Sequence, residues 1–136
     1  MVEELRLEAA VENIPAVTAY IDGLLEALDC PMKAQMQIDV AIDELFGNIA
    51  RYAYTPDTGE ATVRFAFDAD TRTVSISFLD SGIPFDPLSQ ADPDINAPAQ
   101  ERAVGGLGIY LVRKTMDRVD YRYADGKNIL TIQKRI

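Results

Sequence analysis

The chain opens with apolar and charged residues in alternation. In "EELRLEAAV", Leu5, Leu7 and Ala9 fall on one side of an extended backbone, which predicts a short strand with one buried face. Asn13 then stands where a helix cap is expected, with Pro15 in the first turn, where a missing N–H costs little. Val17, Ile21, Leu24 and Leu28 follow at helical spacing. A second helix is predicted from near Pro31 to about Ala53, with Ile38, Ile42, Leu45 and Ile49 as its buried stripe. After "YTPDTGE" the period shortens to two. Val63, Phe65 and Phe67 alternate, as do Val74, Ile76 and Phe78, around "DADTR", which predicts an antiparallel hairpin.

Residues 83 to about 104 contain four of the chain's seven prolines and few large apolar side chains, so neither period fits. A loop of that length in a small domain predicts a lid or a disordered segment. A helix from about Leu107 to Met116 and a last hairpin turning at Asp125 and Gly126 complete the pattern. The order predicts an α+β fold: a two-layer α/β sandwich with helices on one face of a mixed, mostly antiparallel sheet. No internal repeat is present.

Composition narrows the function. The 136 residues suit a single domain, 1–136, with a real core, and the mixture of 48% hydrophobic and 26% charged residues is that of a globular protein. No apolar run reaches the roughly 20 residues of a membrane span, and "MVEELRLEAA" does not resemble a signal peptide, so a cytoplasmic location with no membrane partner is expected. A net charge of −9 argues against direct nucleic-acid binding, which relies on basic side chains. An acidic chain can still take a nucleotide through backbone N–H groups, a helix N-terminus and a metal ion. The single cysteine, Cys30, excludes an internal disulfide, and the absence of histidine excludes imidazole chemistry.

Three clusters carry candidate chemistry. In "DELFGNIARYAY", Glu44 and Asn48 are four residues apart and stack on one helix face. At about 100° per residue they lie roughly 130° and 90° from the centre of the isoleucine stripe, beside the core rather than in it. Asn48 can offer an amide oxygen to Mg²⁺, and Glu44 can orient or deprotonate a hydroxyl. The same pair also suits a solvated face. In "FLDSGIPFDP", a strand ends in Asp80 and Gly82. The carboxylate can accept from an exocyclic amine, and the glycine can let a flat ring approach; a plain turn is the alternative. In "AVGGLGIYLVRKTMD", Gly105, Gly106 and Gly108 precede a helix, where bare N–H groups and the helix dipole attract an anion. This is neither a dinucleotide fingerprint, since Leu111 stands where a third glycine would, nor a Walker loop, since no GK[ST] follows.

Taken together the clusters resemble, in order, the motifs of the GHKL ATP-binding fold (the Bergerat fold) shared by DNA gyrase, heat-shock chaperones, histidine kinases and mismatch-repair proteins. Within it the chain is most similar to bacterial anti-sigma factors that are also serine protein kinases. "ELFGNIARYAY" resembles the N box, "DSGIPFDP" the first glycine box and "GGLGIYLVRKTMDRVDYRY" the second. The resemblance implies ATP or ADP bound under a lid at about 83–104, with adenine recognised by Asp80 and Gly82 and Mg²⁺ coordinated through Asn48. It also implies phosphates covered by the backbone of Gly105, Gly106, Leu107 and Gly108, and Glu44 as the base. Arg102 is either a phosphate contact or a solvated arginine. Arg51 can pair with Glu44 or touch a partner. Tyr52 departs from the family, standing where a histidine is common.

The resemblance therefore implies a stand-alone serine protein kinase that transfers the γ-phosphoryl of ATP to a serine of an anti-sigma factor antagonist, a STAS-domain protein. It would hold a sigma factor when that antagonist is phosphorylated, regulating transcription by partner switching. The alternative is a nucleotide-dependent binding module without kinase activity. Family members pair through the sheet edge or first helix, so Leu5 and Leu7 are candidate homodimer contacts.

Overall fold

The computed structural model describes residues 1–89 and 106–136. Five strands, β1 (Val2–Glu8), β2 (Glu60–Asp68), β3 (Thr73–Asp80), β4 (Arg118–Ala124) and β5 (Lys127–Arg135), form one sheet in the order β1-β2-β3-β5-β4. All of the pairings among them are antiparallel, so the mixed character expected from the sequence reduces to an antiparallel sheet among the described residues. Three helices, α1 (Ile14–Ala27), α2 (Met32–Asn48) and α3 (Gly106–Thr115), complete the α+β architecture.

The alternation in the sequence becomes the core directly. Val63 and Phe65 on β2, Val74, Ile76 and Phe78 on β3, and Leu130 and Ile132 on β5 are buried in one cluster with Ile38, Ile42, Leu45 and Phe46 of α2. Each fully buried large side chain contributes about 1.5–3 kcal/mol relative to exposure. On α1 the buried set is Val17, Ile21 and Leu25, with Leu24 and Leu28 only partly covered. Thus the stripe runs at a spacing of four, and Leu25 takes the place expected for Leu24.

Two local expectations change. Asn13 precedes α1 but makes no side-chain cap bond. Its backbone is helical (φ −92°, ψ −3°), whereas a capping side chain needs an extended residue to reach the N–H groups ahead of it. Its amide donates instead to the Glu8 carbonyl at 2.8 Å, and a 3-10 turn over Val11–Asn13 leads the chain into α1. The second change is at the far end of α2. The helix does continue to Ala53, but as a π-helical turn over Ile49–Ala53. That wider winding shifts the angular phase of the residues it contains, and Ile49 is half-buried at the edge of the core rather than inside it.

The last hairpin turns through Asp125 (φ 55°) and Gly126 (φ 74°). Two consecutive left-handed residues are what a tight two-residue hairpin needs, and glycine takes up the second without steric cost. Between α1 and α2, Asp22 and Asp39 each bury one carboxylate oxygen, Oδ1, that has no hydrogen-bond partner among the described residues. Burial pushes Asp39 up to about 7, and the neighbouring Asp22 and then Glu26 push in the same direction.

Candidate functional site

The end of α2, the carboxyl end of β3 and the first turn of α3 meet around a cavity of about 350 Å³. That volume lies within the range of small-molecule sites. Phe78 and Leu130 line it from the sheet, Leu45, Asn48, Ile49, Tyr52 and Ala53 from α2 and its π-helical turn, and Ile109 from α3. Ile83, Phe85 and Pro87 line it from the segment after β3. Asp80, Tyr121 and Asn128 supply the polar groups at the sheet end. The lining is therefore largely apolar with a few convergent polar atoms.

Asp80 and Asn128 are the two buried polar residues among those described. They are register partners across β3 and β5. Asp80 Oδ1 accepts from Gly82 N at 2.9 Å and from Asn128 Nδ2 at 3.0 Å. No bond to Oδ2 is made among the described residues, so one carboxylate oxygen is free to serve the cavity. Asn128 Nδ2 also donates to the Ile83 carbonyl at 2.9 Å, while its Oδ1 accepts from Phe85 N at 3.1 Å and from the Tyr121 hydroxyl.

The glycine at position 82 has a reason the sequence did not reveal. A Cβ there would lie 2.3 Å from the Ala53 carbonyl oxygen, inside any tolerable contact. The backbone of the strand end thus presses against the end of the α2 extension, and Ile83 N donates to that same carbonyl at 3.2 Å. Tyr54 ties the same corner: its hydroxyl donates to the Glu60 carbonyl at 2.6 Å and accepts from Ser81 N at 2.8 Å.

Gly108 brings the first and third clusters together. A Cβ on Gly108 would lie 2.1 Å from Glu44 Oε2, so the bare first turn of α3 is what makes room for the Glu44 carboxylate. Glu44 also accepts from Asn48 Nδ2 at 3.4 Å, a long bond that leaves Asn48 Oδ1 without a partner among the described residues. Burial raises the Glu44 carboxyl above its ordinary range, with Asp43 adding to the rise, while the Asn48 amide and the Arg51 charge oppose it. Arg51 folds back over Gly47, where its guanidinium would meet a Cβ at 2.7 Å. Glu44 does not line the cavity itself; it stands beside Asn48, which does.

The structure therefore brings Asn48 and Asp80 into one cavity, with Gly82 packed behind Asp80 and Glu44 against Gly108. Gly106 is the first residue of α3 and Leu107 the second. Arg102, Gly105 and most of the expected lid lie outside the described residues. Asn128 and Tyr121 were missed as site residues by sequence reasoning.

Residues 7–134 match the histidine kinase-like ATPase domain. The chain belongs to this family. The resemblance carried by its three glycine- and asparagine-containing motifs is thereby borne out, and membership makes an ATP site the expected use of the cavity. The ATPase domain is similar to "Serine-protein kinase RsbW" of Bacillus cereus strain B4264, at 28% identity over 93% of this chain and 81% of the relative. It is 27% identical to the protein of the same name in Bacillus mycoides strain KBAB4, with the same coverage. Among solved structures it resembles the RsbU and RsbW domains of Rv1364c from Mycobacterium tuberculosis, with a TM-score of 0.70 and 16% identity. That likeness covers 99% of this chain and 32% of the solved one, and it establishes the fold. No helix among the described residues is long and apolar enough to cross a membrane.

The donors fit a nucleotide and its cation. An apolar slot bordered by one free carboxylate oxygen suits a flat base with an amino group. The described residues offer no cluster of acidic side chains that could bind a metal unaided. Asn48 Oδ1, a single hard oxygen donor, is consistent with a cation that keeps waters and is shared with phosphate oxygens.

Proposed function

We propose that this histidine kinase-like ATPase domain is an anti-sigma factor and serine protein kinase, transferring the γ-phosphoryl of ATP to a serine of a STAS-domain antagonist. The reading rests chiefly on one observation: Asn48 and Asp80, drawn from distant segments, line one cavity of about 350 Å³, and the Glu44–Gly108 contact stands beside Asn48. The names of the relatives support it.

In this reading Asp80 Oδ2 would accept from the exocyclic amine of adenine, and Ile49, Ile83 and Phe78 would supply apolar surface to the base. Asn48 Oδ1 would hold Mg²⁺, which when bound would supply charge neutralisation to the phosphates. N–H groups at the start of α3, at Gly106, Leu107 and Gly108, cover the phosphates together with Gly105 and with Arg102 as a further contact. Phosphoryl transfer depends mainly on positioning and electrostatics, so these groups suffice in kind. Glu44 accepts the serine proton; its raised carboxyl is a better base than an ordinary glutamate. Partner switching with a sigma factor, pairing of two copies along the β1 edge at half-buried Leu5 and Leu7, and action in the cytoplasm belong to the same proposal.

A nucleotide-dependent binding module without phosphotransfer is the second reading. It is favoured by the position of Glu44, which lies beside the cavity rather than in its lining. One experiment separates the two. The protein is incubated with Mg-ATP and a STAS-domain antagonist, and the antagonist is examined by mass spectrometry. Phosphoserine that is lost in Glu44→Gln, with ATP affinity retained, supports the kinase. A stable complex whose antagonist carries no phosphate supports the module.

A further inference from the structure

Asn128 has used all of its hydrogen-bonding capacity within the protein. A primary amide offers two donors and two acceptor lone pairs. Here the donors go to Asp80 Oδ1 at 3.0 Å and the Ile83 carbonyl at 2.9 Å. The lone pairs accept from Phe85 N at 3.1 Å and from the Tyr121 hydroxyl. The side chain is buried, at 7% exposure. Nothing is left over for a ligand, so Asn128 is not itself a contact residue.

Its arrangement has two effects. With Gly82 N it holds Oδ1 of Asp80, which leaves Oδ2 as the oxygen available to the cavity. An acceptor fixed in that way favours a ring bearing an amino group and disfavours one bearing a carbonyl at the same place, where two oxygens would face each other unpaired. The same amide grips the backbone at Ile83 and Phe85, whose side chains line the cavity. We propose that Asn128 is a positioning residue that sets purine selectivity, aiming Asp80 toward a 6-amino group while fixing the path of residues 82–85 over the base. This rests on the reading of the cavity as an adenine-nucleotide site.

The orientation of the amide is dictated by its surroundings. Its nitrogen faces a carboxylate and a carbonyl, and its oxygen faces an N–H and a hydroxyl. An aspartate at 128 would set oxygen against oxygen on the nitrogen side, whereas Asn128→Ala simply removes the grip.

The test compares ATP and GTP binding by calorimetry in the wild type, Asn128→Ala and Tyr121→Phe, alongside hydrogen exchange at the Ile83 and Phe85 amides. The wild type is expected to prefer ATP. Asn128→Ala should lower the ATP-to-GTP affinity ratio about tenfold, the size of one hydrogen bond's discrimination, and should speed exchange at Phe85. Tyr121→Phe removes one hydroxyl and should lower the ratio by a smaller factor, about threefold, so it serves if Asn128→Ala does not fold. An unchanged ratio, or an equal loss of affinity for both nucleotides, overturns the inference and leaves the ATP site standing. Failure of the wild type to bind either nucleotide overturns the reading of the cavity, and the inference with it.

Discussion

Two aspartate sites in this molecule, one buried and one half-buried, are solved in opposite ways. At the sheet end, Asp80 meets an amide and a backbone N–H, and one of its oxygens is fully engaged. Between α1 and α2, Asp39 meets another acid, and both Asp22 and Asp39 bury an oxygen that nothing among the described residues satisfies. The first arrangement fixes one carboxylate oxygen of a residue that lines the cavity. The second gives a carboxyl whose proton is favoured by burial and by its neighbour, and which is pushed up to about 7. Glu44 falls between them: an amide supports it at 3.4 Å, yet burial still raises it. Burial raises both Asp39 and Glu44, and the partner opposite each then adds to that rise, as Asp22 does, or opposes it, as Asn48 does.

The contrast can be broken one member at a time. The largest effect is expected at the intermediate acid. On the proposed kinase reading, Glu44→Gln keeps the shape beside Gly108 but removes the proposed base, and phosphotransfer to a STAS-domain antagonist should fall about 100- to 10,000-fold in single-turnover assays with ATP affinity little changed. A base at Glu44 acts as the ionised carboxylate, and burial raises its carboxyl, so on this proposal the wild-type rate should climb with pH through a midpoint above the ordinary glutamate range. A rate flat from pH 5 to 8 removes Glu44 from that role.

Asp80→Asn comes next. It replaces an acid–amide pair with two amides and, on the proposed adenine-site reading, costs a charge-assisted hydrogen bond to the base, so ATP affinity should drop roughly 10- to 100-fold by calorimetry. Thermal stability should move little by comparison.

The smallest effect is expected at the helix interface. A carboxyl whose folded pKa is raised stabilises the fold fully below its unfolded value near 3.8, and that stability is lost as pH rises toward about 7. Asp39→Asn removes the penalty. The variant should be more stable than the wild type by about 1 kcal/mol at pH 8, a figure discounted for partial exposure, and the two should converge toward pH 4. Urea denaturation across that range checks it, and a constant difference at all pH values assigns the effect to something other than the titration.

The sequence disclosed unequal shares of these sites. Glu44 and Asn48 were legible because helical spacing places them together, and Asp80 because a strand ends there. Asn128 was not, since it follows an Asp-Gly turn where an asparagine reads as a turn residue; only the pairing of β5 with β3 puts it opposite Asp80. Gly82 was read as an opening for a ring, but its bare backbone answers first to the Ala53 carbonyl, a contact set by how the π-helical turn ends. The Asp22–Asp39 pair also escaped. Each looked like an ordinary polar position on its own helix, and the conflict exists only once two helices are packed. Periodicity reveals which face turns inward; it does not reveal what waits on the other side.

Tyr54 has a consequence for the corner where the π-helical turn meets the sheet. Its ring spans from the end of α2 to the start of β2 and the end of β3, with its oxygen held by Glu60 and Ser81. An aromatic ring has a fixed length. The junction between the π-helical turn and the sheet rim is thus braced by a rigid strut.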